Sequence, residues 1–469
     1  MKNRDLSLTP GIPVQNAGFE NSALSEPVSR KDMGQIAPAP VSRREMGRLA
    51  RTFGWTSLLM ALTSMGGDPL TISTLADAAQ NISKKRSSGA DGGYGKRGYA
   101  EKAGYSGKTV YTGKPRRTLT YAITITGKRI FQINGFGYLE FIRDLEERTD
   151  GEIRIELIPG GEICNEMTCV KKAMQGIVDI YSSSIQNAAG IAEYFNVLNF
   201  PGIFPDRASQ HHFFYHPKSE KLLREPLRKH HGLHLLFTHC RLRGLTMGMK
   251  WREKPDIKSI DDLKGAKIRV TASKFGQKAL ELLGIVPVPM DWGGTLNAMK
   301  FGLVDGMETW ETAAAGMAFE QSGIISQVLD LRLFSGNTHA AIRTSVFESL
   351  SPDLQVAMME SAYYTQIWGQ LAGEASLINM AGASEPQMQG TVFSDQGIRY
   401  VKFSEKELHK IQQRCAPCFN PQPWEEWREK LNRLAGNVDI YQEIFNIARE
   451  IPLERLPENV LPRRWWKKV

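Results

Sequence analysis

The chain has 469 residues, 41% apolar and 23% charged, which is too long for one small core and ordinary in charge for a globular protein. Its net charge of +9 sits at the front: residues 81–117 hold ten Lys/Arg against two Asp/Glu, whereas residues 118–469 hold 41 of each. That partition leaves a basic nucleic-acid face on the globular part without support.

Residues 1–41 are polar and Pro-rich without apolar periodicity, and read as disordered or as lying upstream of the true start. Residues 42–79 read as an export signal. Basic residues precede a short apolar run from Trp55 to Met65, and 76-ADAA-79 follows. Ser42-Arg43-Arg44 fits a twin-arginine signal; a start at Met46, with Arg48 and Arg51 as the positive region, fits the general secretory route. Residues 80–117, rich in Gly, Ser, Tyr and Lys, cannot bury a core and read as a flexible basic linker.

The globular pattern starts at 118. Thr118–Ile125 alternates as a strand, and Phe136, Leu139, Ile142 and Leu145 fall on one helix face. The segment 152-EIRIELIP-159 alternates again, and a helix through Met174 leads to 176-GIVDIYSSS-184. This strand–helix–strand order predicts an α/β domain. The same unit recurs from Lys267: a strand to Val270, a helical stripe ended by Gly284, an extended Pro287-Pro289 segment, and a short helix before Val304-Asp305. Gly176-Ile177-Val178-Asp179 and Gly302-Leu303-Val304-Asp305 echo each other, as two similar lobes would. Long helical patterns cover 352–375, 405–413 and 424–449, and the basic aromatic end 463-RRWWKKV-469 reads as a frayed terminus.

Several segments carry a resemblance. The stretch 258-KSIDDLKGAKIRVTASKFGQKALELLGIVPVPMDWGGTLNAMKFGLVDGMETW-310, with 149-TDGEIRIELIPGGEI-163, 173-AMQGIVDI-180, 198-LNFPGIFPD-206 and 343-RTSVFESLSPDLQ-355, resembles the DctP-type solute receptors of TRAP (tripartite ATP-independent periplasmic) transporters. The resemblance spans roughly 118 to 450. It implies an α/β, two-lobed periplasmic binding (Venus flytrap) fold with hinge strands and long C-terminal helices. Lobe I is expected at 118–240 plus about 365–400, and lobe II at 241–364 plus about 401–469. It further implies a periplasmic receptor, not an enzyme, without cofactor. Such a receptor takes a small carboxylate, hands it to small and large integral-membrane subunits, binds no nucleic acid, and is a monomer or homodimer.

In that family an arginine at the position of Arg269 grips the ligand carboxylate, and the chemistry supports it. A guanidinium is planar, permanently charged and forked to match a carboxylate. Arg243 falls where some relatives have a second basic contact, with Arg241 as a competing choice. Asn337 and His339 lie near a position that hydrogen-bonds ligand. Glu308 follows Val304-Asp305-Gly306 at the rim, Trp310 and Phe275 are candidate walls, and Gln186 is a candidate from the first lobe. Where relatives carry Glu, this chain has 293-GGT-295, which puts in doubt any contact or cap made by that Glu.

Two rival readings come from the residues alone. Seven of nine histidines fall within His211–His239, and His212/His216 and His230/His234 have i, i+4 spacing. An exported metal-binding protein or metalloenzyme would use them so, against a solvated helical segment. Binding by the basic linker would instead make an envelope interaction module. Of the five cysteines, Cys164 and Cys169 can close a small loop. Cys415 and Cys418 are placed for a structural disulfide, or for one of them to pair elsewhere.

Overall fold

The computed structural model describes residues 115–124 and 137–467. The expectations for residues 1–41, for the export signal at 42–79 and for nearly all of the linker lie outside the described residues.

In chain order the strands are β1 (Arg117–Ala122), β2 (Ile153–Ile158), β3 (Ile180–Ser184), β4 (Leu233–His239), β5 (Leu242–Met247), β6 (Lys267–Val270), β7 (Val286–Pro289), β8 (Gly306–Trp310), β9 (Gln327–Ser335), β10 (Thr338–Arg343) and β11 (Arg399–Lys402). They form a five-stranded sheet, β2-β1-β3-β10-β4, and a six-stranded sheet, β11-β9-β5-β8-β6-β7. The echo noted in the sequence is real at this level. β1 lies between its parallel neighbours β2 and β3, and β6 lies between its parallel neighbours β7 and β8. Helices Tyr138–Arg148, Cys169–Met174, Lys274–Leu282 and Trp292–Lys300 make the crossovers. Gly176 (φ +77°) and Gly302 (φ +69°) take the same left-handed turn before β3 and β8.

Two of the chain's crossings between the sheets are short and lie side by side, and a third runs from β10 through the long helix to β11. Two residues join β4 to β5 and two join β9 to β10, and β4 and β5 pair antiparallel with β10 and β9. The lobe boundaries expected from sequence therefore need correction. Thr338–Arg343 belongs to the first sheet, because the chain has already crossed back after Ser335. Arg399 and Tyr400 belong to the second, because β11 adds in parallel to the edge strand β9. A short segment seldom shows which neighbour it will pair with, so sequence spacing could not place either.

Helix Pro352–Ser376 packs on β4 and on helix Tyr138–Arg148 and runs past the β4–β5 crossing, where Gly369 meets His239 and Gly373 meets Arg241. Ser351 caps it by accepting from Leu354 N, and Pro352 fits its first turn. At Gly369 a Cβ would lie 1.9 Å from His239 Nδ1, so the helix reaches the crossing only with glycine there. Two further sequence expectations change. The 424–449 pattern is two helices, Glu425–Leu434 and Ile440–Ile447, broken where Gly436 and Asn437 take positive φ. The C-terminal segment is not frayed: Trp465 is buried in the core beside the first sheet, Arg224 lies over its ring at 4.4 Å, and Arg464 pairs with Glu360 at 2.8 Å.

Candidate functional site

A cavity of about 400 Å³ lies between the two sheets. Its walls follow from the topology. Thr124, Gly160, Gly161 and Ser184 follow or end β1, β2 and β3, while Thr271, Trp292 and Trp310 do the same for β6, β7 and β8. Ligands of open α/β sheets bind outside the carboxyl ends of parallel strands, and here two such edges face one another.

Arg243 and Arg269 both line this cavity. Arg243 stands at the start of β5, where the β5–β9 register shifts between Arg243 and Leu245. Gly244 allows that shift, because a Cβ there would lie 2.0 Å from Leu329 O. On neighbouring β8, Glu308 receives Arg243 with both carboxylate oxygens, through Nε and through Nη2 at 2.9 Å, and Nη2 also reaches Glu308 O at 3.2 Å. Both side chains are buried, so this guanidinium is neutralised and fixed within lobe II.

Arg269 differs. Its Nε donates to Met290 O at 3.1 Å and its guanidinium lies 5.1 Å from the Trp292 ring centre, yet no carboxylate pairs with it among the described residues. Burial, and then repulsion from Arg243, lower its pKa to about 10. It stays cationic at neutral pH, and an incoming anion removes much of that penalty. Trp292 and Trp310 stack at 6.1 Å, and each underlies one of the two guanidiniums.

The opposite wall comes from a loop closed by the Cys164–Cys169 disulfide. Asn165 Oδ1 accepts from Met167 N, Thr168 N and Thr168 Oγ1, which fixes the turn and sets Glu166 at the cavity. Asn187 Nδ2 donates to Glu166 Oε2 at 2.6 Å, and Ser183 Oγ holds the Glu166 carbonyl at 2.6 Å. Burial raises the Glu166 pKa, while Asn187, Arg243 and Arg269 draw it back.

The residues named from sequence separate accordingly. The cavity receives Arg269, Arg243 and Trp310. Glu308 stands behind Arg243. Gln186 spans the lobes: its Oε1 accepts from Thr271 Oγ1 at 3.1 Å, and its Nε2 lies 3.4 Å from Glu308 Oε1. Three candidates are placed elsewhere. Phe275 faces the core, against Phe200, Trp424 and Trp427, because its helix turns that stripe away from the cleft. Asn337 is consumed in the crossing, accepting from Gln210 Nε2 at 2.8 Å and Ser335 Oγ at 2.9 Å. His339 lies against Phe195 and Tyr181, its Nε2 2.9 Å from the Tyr181 hydroxyl. Arg241 is buried in the crossing, donating to Cys240 O. Sequence reasoning missed Glu166, Asn187, Thr271 and Trp292; the one available signal was an acid enclosed by two cysteines, 164-CNEMTC-169.

The histidines do not assemble into one site. His234 is on β4, stacked on Phe347, so His230 and His234 do not share a helix face. His212, His216 and Glu450 do meet, with His Nε2 atoms 3.0 and 3.4 Å from one Glu450 oxygen. However, Lys218 N donates to His216 Nδ1, which leaves the proton on the Nε2 facing Glu450. That proton favours a hydrogen-bonded arrangement of His216 with Glu450 over metal ligation through this Nε2. Cys415 and Cys418 are free thiols. Cys415 ends its helix with Sγ turned back to Ile411 O, so the expected disulfide is not formed. Among the described residues no helix is long and apolar enough to cross a membrane.

Two α/β lobes joined by paired crossings, with a cavity between their strand ends, define a two-lobed solute-binding protein. The chain belongs to the DctP family of bacterial extracellular solute-binding proteins, family 7, whose family model matches residues 132–421. It is 26% identical over 273 residues to the 2,3-diketo-L-gulonate-binding periplasmic protein YiaO of Escherichia coli, covering 52% of this chain and 78% of that one. Its fold is similar to a TRAP periplasmic solute-binding protein of Ralstonia eutropha with bound (S)-2-acetolactate (TM-score 0.59, 18% identity, 71% of this chain and 99% of that one). It is also similar to the sugar acid-binding protein DctPAm of Advenella mimigardefordensis in complex with galactonate (TM-score 0.57, 17% identity, 72% and 99%).

Proposed function

We propose that this receptor captures a small organic acid between its lobes, with Arg269 as the clamp on the ligand carboxylate. The observation that carries this reading is the lack of a direct ion pair at Arg269: Glu308, Glu166 and Asp291 act on this buried cation at the cavity, but no carboxylate pairs with it among the described residues. Arg243 cannot be the main clamp, because Glu308 already occupies two of its nitrogens. Its role is to hold positive potential beside Arg269. The acids named for the relatives, 2,3-diketo-L-gulonate, acetolactate and galactonate, agree with a carboxylate at this position.

Capture shifts an equilibrium between open and closed lobes. The ligand touches both walls only when they are shut, and the β4–β5 and β9–β10 crossings are the segments that flex. The closed form then docks on the small and large membrane subunits of a TRAP-type secondary transporter. The chain reaches the periplasm through the export signal read at residues 42–79.

A thermal-shift screen of the purified protein against small mono- and dicarboxylates tests the reading. An acid at 100 times its dissociation constant stabilises the protein by about 2.7 kcal/mol, a plain rise in melting temperature. Failure of every acid to shift the transition would overturn it.

A further inference from the structure

Arg269 fixes one end of a ligand, and the other end meets the disulfide-closed loop. Glu166 stands there with an unusual accounting. Its Oε2 accepts from Asn187, and its Oε1 has no hydrogen-bond partner among the described residues. Asn165, beside it, is spent on the turn, so Glu166 is the acceptor this loop offers to the cavity. A second ligand carboxylate placed there finds no donor on this loop and meets a like charge when Glu166 is ionised, against which the field of Arg243 and Arg269 acts. A hydroxyl donates to Oε1 and satisfies it. Thr124 and Ser184 on the same wall and Thr271 and Thr309 opposite add hydroxyl partners, and Thr309 Oγ1 has no partner of its own among the described residues. An ammonium group also suits Glu166, but it would sit in the field of Arg243 and Arg269, the two guanidiniums of the same cavity.

The geometry points to Glu166 as the residue that selects a hydroxylated monocarboxylate, anchored at Arg269 and donating a hydroxyl to Glu166, over a dicarboxylate of the same length. This rests on the carboxylate reading of the cleft and adds the identity of the ligand's far end. A cavity of about 400 Å³ falls within the range of about 300–1,000 Å³ typical of small-molecule sites and admits a polyhydroxy chain.

The experiment is calorimetric titration of the wild type and Glu166→Gln with ligands matched in carbon number. These are 2,3,4-trihydroxybutanoate against succinate, gluconate against adipate, and 6-aminohexanoate for an ammonium end. Circular dichroism confirms that the variant is folded. In the wild type the hydroxylated acid of at least one pair binds tenfold or more tighter than its diacid, and Glu166→Gln narrows that ratio at least tenfold by admitting the diacid. Diacids binding as tightly as hydroxy acids in the wild type, or an unchanged ratio in Glu166→Gln, would overturn the assignment. So would 6-aminohexanoate binding most tightly. If acids bind without discrimination but lose binding in Arg269→Ala, only the role of Glu166 falls. If no acid binds, the carboxylate reading falls and takes this inference with it.

Discussion

Arg243 and Glu308 form a buried, two-pronged ion pair between adjacent antiparallel strands, on positions diagonal across the β5–β8 register. The pair accounts for why two arginines in one cavity do not act alike: one cation is already satisfied and the other is not. Breaking such a pair leaves an uncompensated buried charge and costs about 3–5 kcal/mol. Glu308→Gln therefore lowers the urea midpoint strongly, while Arg243→Met combined with Glu308→Leu recovers much of the loss. A single variant as stable as the wild type contradicts this account.

The Cys164–Cys169 disulfide closes a loop with a sequence separation of 5, which presents Glu166 to the cavity. Entropy of so small a loop accounts for about 2 kcal/mol of stability. Replacing both cysteines by serine leaves the protein folded, lowers its melting temperature modestly, and weakens ligand binding by loosening Glu166. Calorimetry in the oxidised and reduced states checks this, and equal affinity in both argues that the loop needs no clip.

Acidification destabilises the fold. His211 and His339 are fully buried, and burial lowers the pKa of each to about 3. The unfolded chain takes up their protons at about 6.5. Their contribution is thus complete above about pH 6.5 and is lost as pH falls toward 3, by up to about 1.4 kcal/mol per pH unit for each histidine. Glu311, which burial raises to about 7, works in the opposite direction between its ordinary value and neutrality. Burial also raises Glu140, Glu146, Glu166 and Glu458, but it lowers His216, His231, His234 and His239 as well, so the lowered histidines outnumber the raised carboxylates. Urea unfolding at pH 5 and pH 7.5 gives the lower midpoint at pH 5, and His339→Asn reduces the difference.

Gly369 lets the long helix lie against His239 at the crossing. In Gly369→Val the helix must move away from β4, costing about 1–3 kcal/mol as an overpacked core does and disturbing the hinge. Lower stability and slower ligand association in stopped flow are the expected outcome. Unchanged stability would mean that the helix relaxes freely there.

The fold was largely legible because two βαβαβ units leave a strong signature: period-2 strands, amphipathic helices and a Gly-Ile/Leu-Val-Asp turn before β3 and β8. The lobe boundaries were not, because strand neighbours are set by the crossings and β10 gives no local sign that it returns to the first sheet. At the site, the resemblance singled out Arg269 and, beside the competing Arg241, Arg243. The difference between Arg269 and Arg243 was not legible, since Arg243 is satisfied by a residue 65 positions away. His339 and Phe275 misled because their residue types suit a pocket wall and a core equally, and only packing decides. Glu166 was hidden by its setting in an irregular loop whose shape comes from a disulfide and an Asn165 turn.

The central claim is that Arg269 clamps the ligand carboxylate. Calorimetric titration of the wild type, Arg269→Lys and Arg269→Ala with the acid that stabilises the protein best tests it most directly. Loss of a charge-assisted pair costs about 3 kcal/mol, so Arg269→Ala binds at least 100-fold more weakly. Arg269→Lys falls between, since it keeps the charge without the fork. An Arg269→Ala protein that is folded and binds the acid within threefold of the wild type would contradict the account.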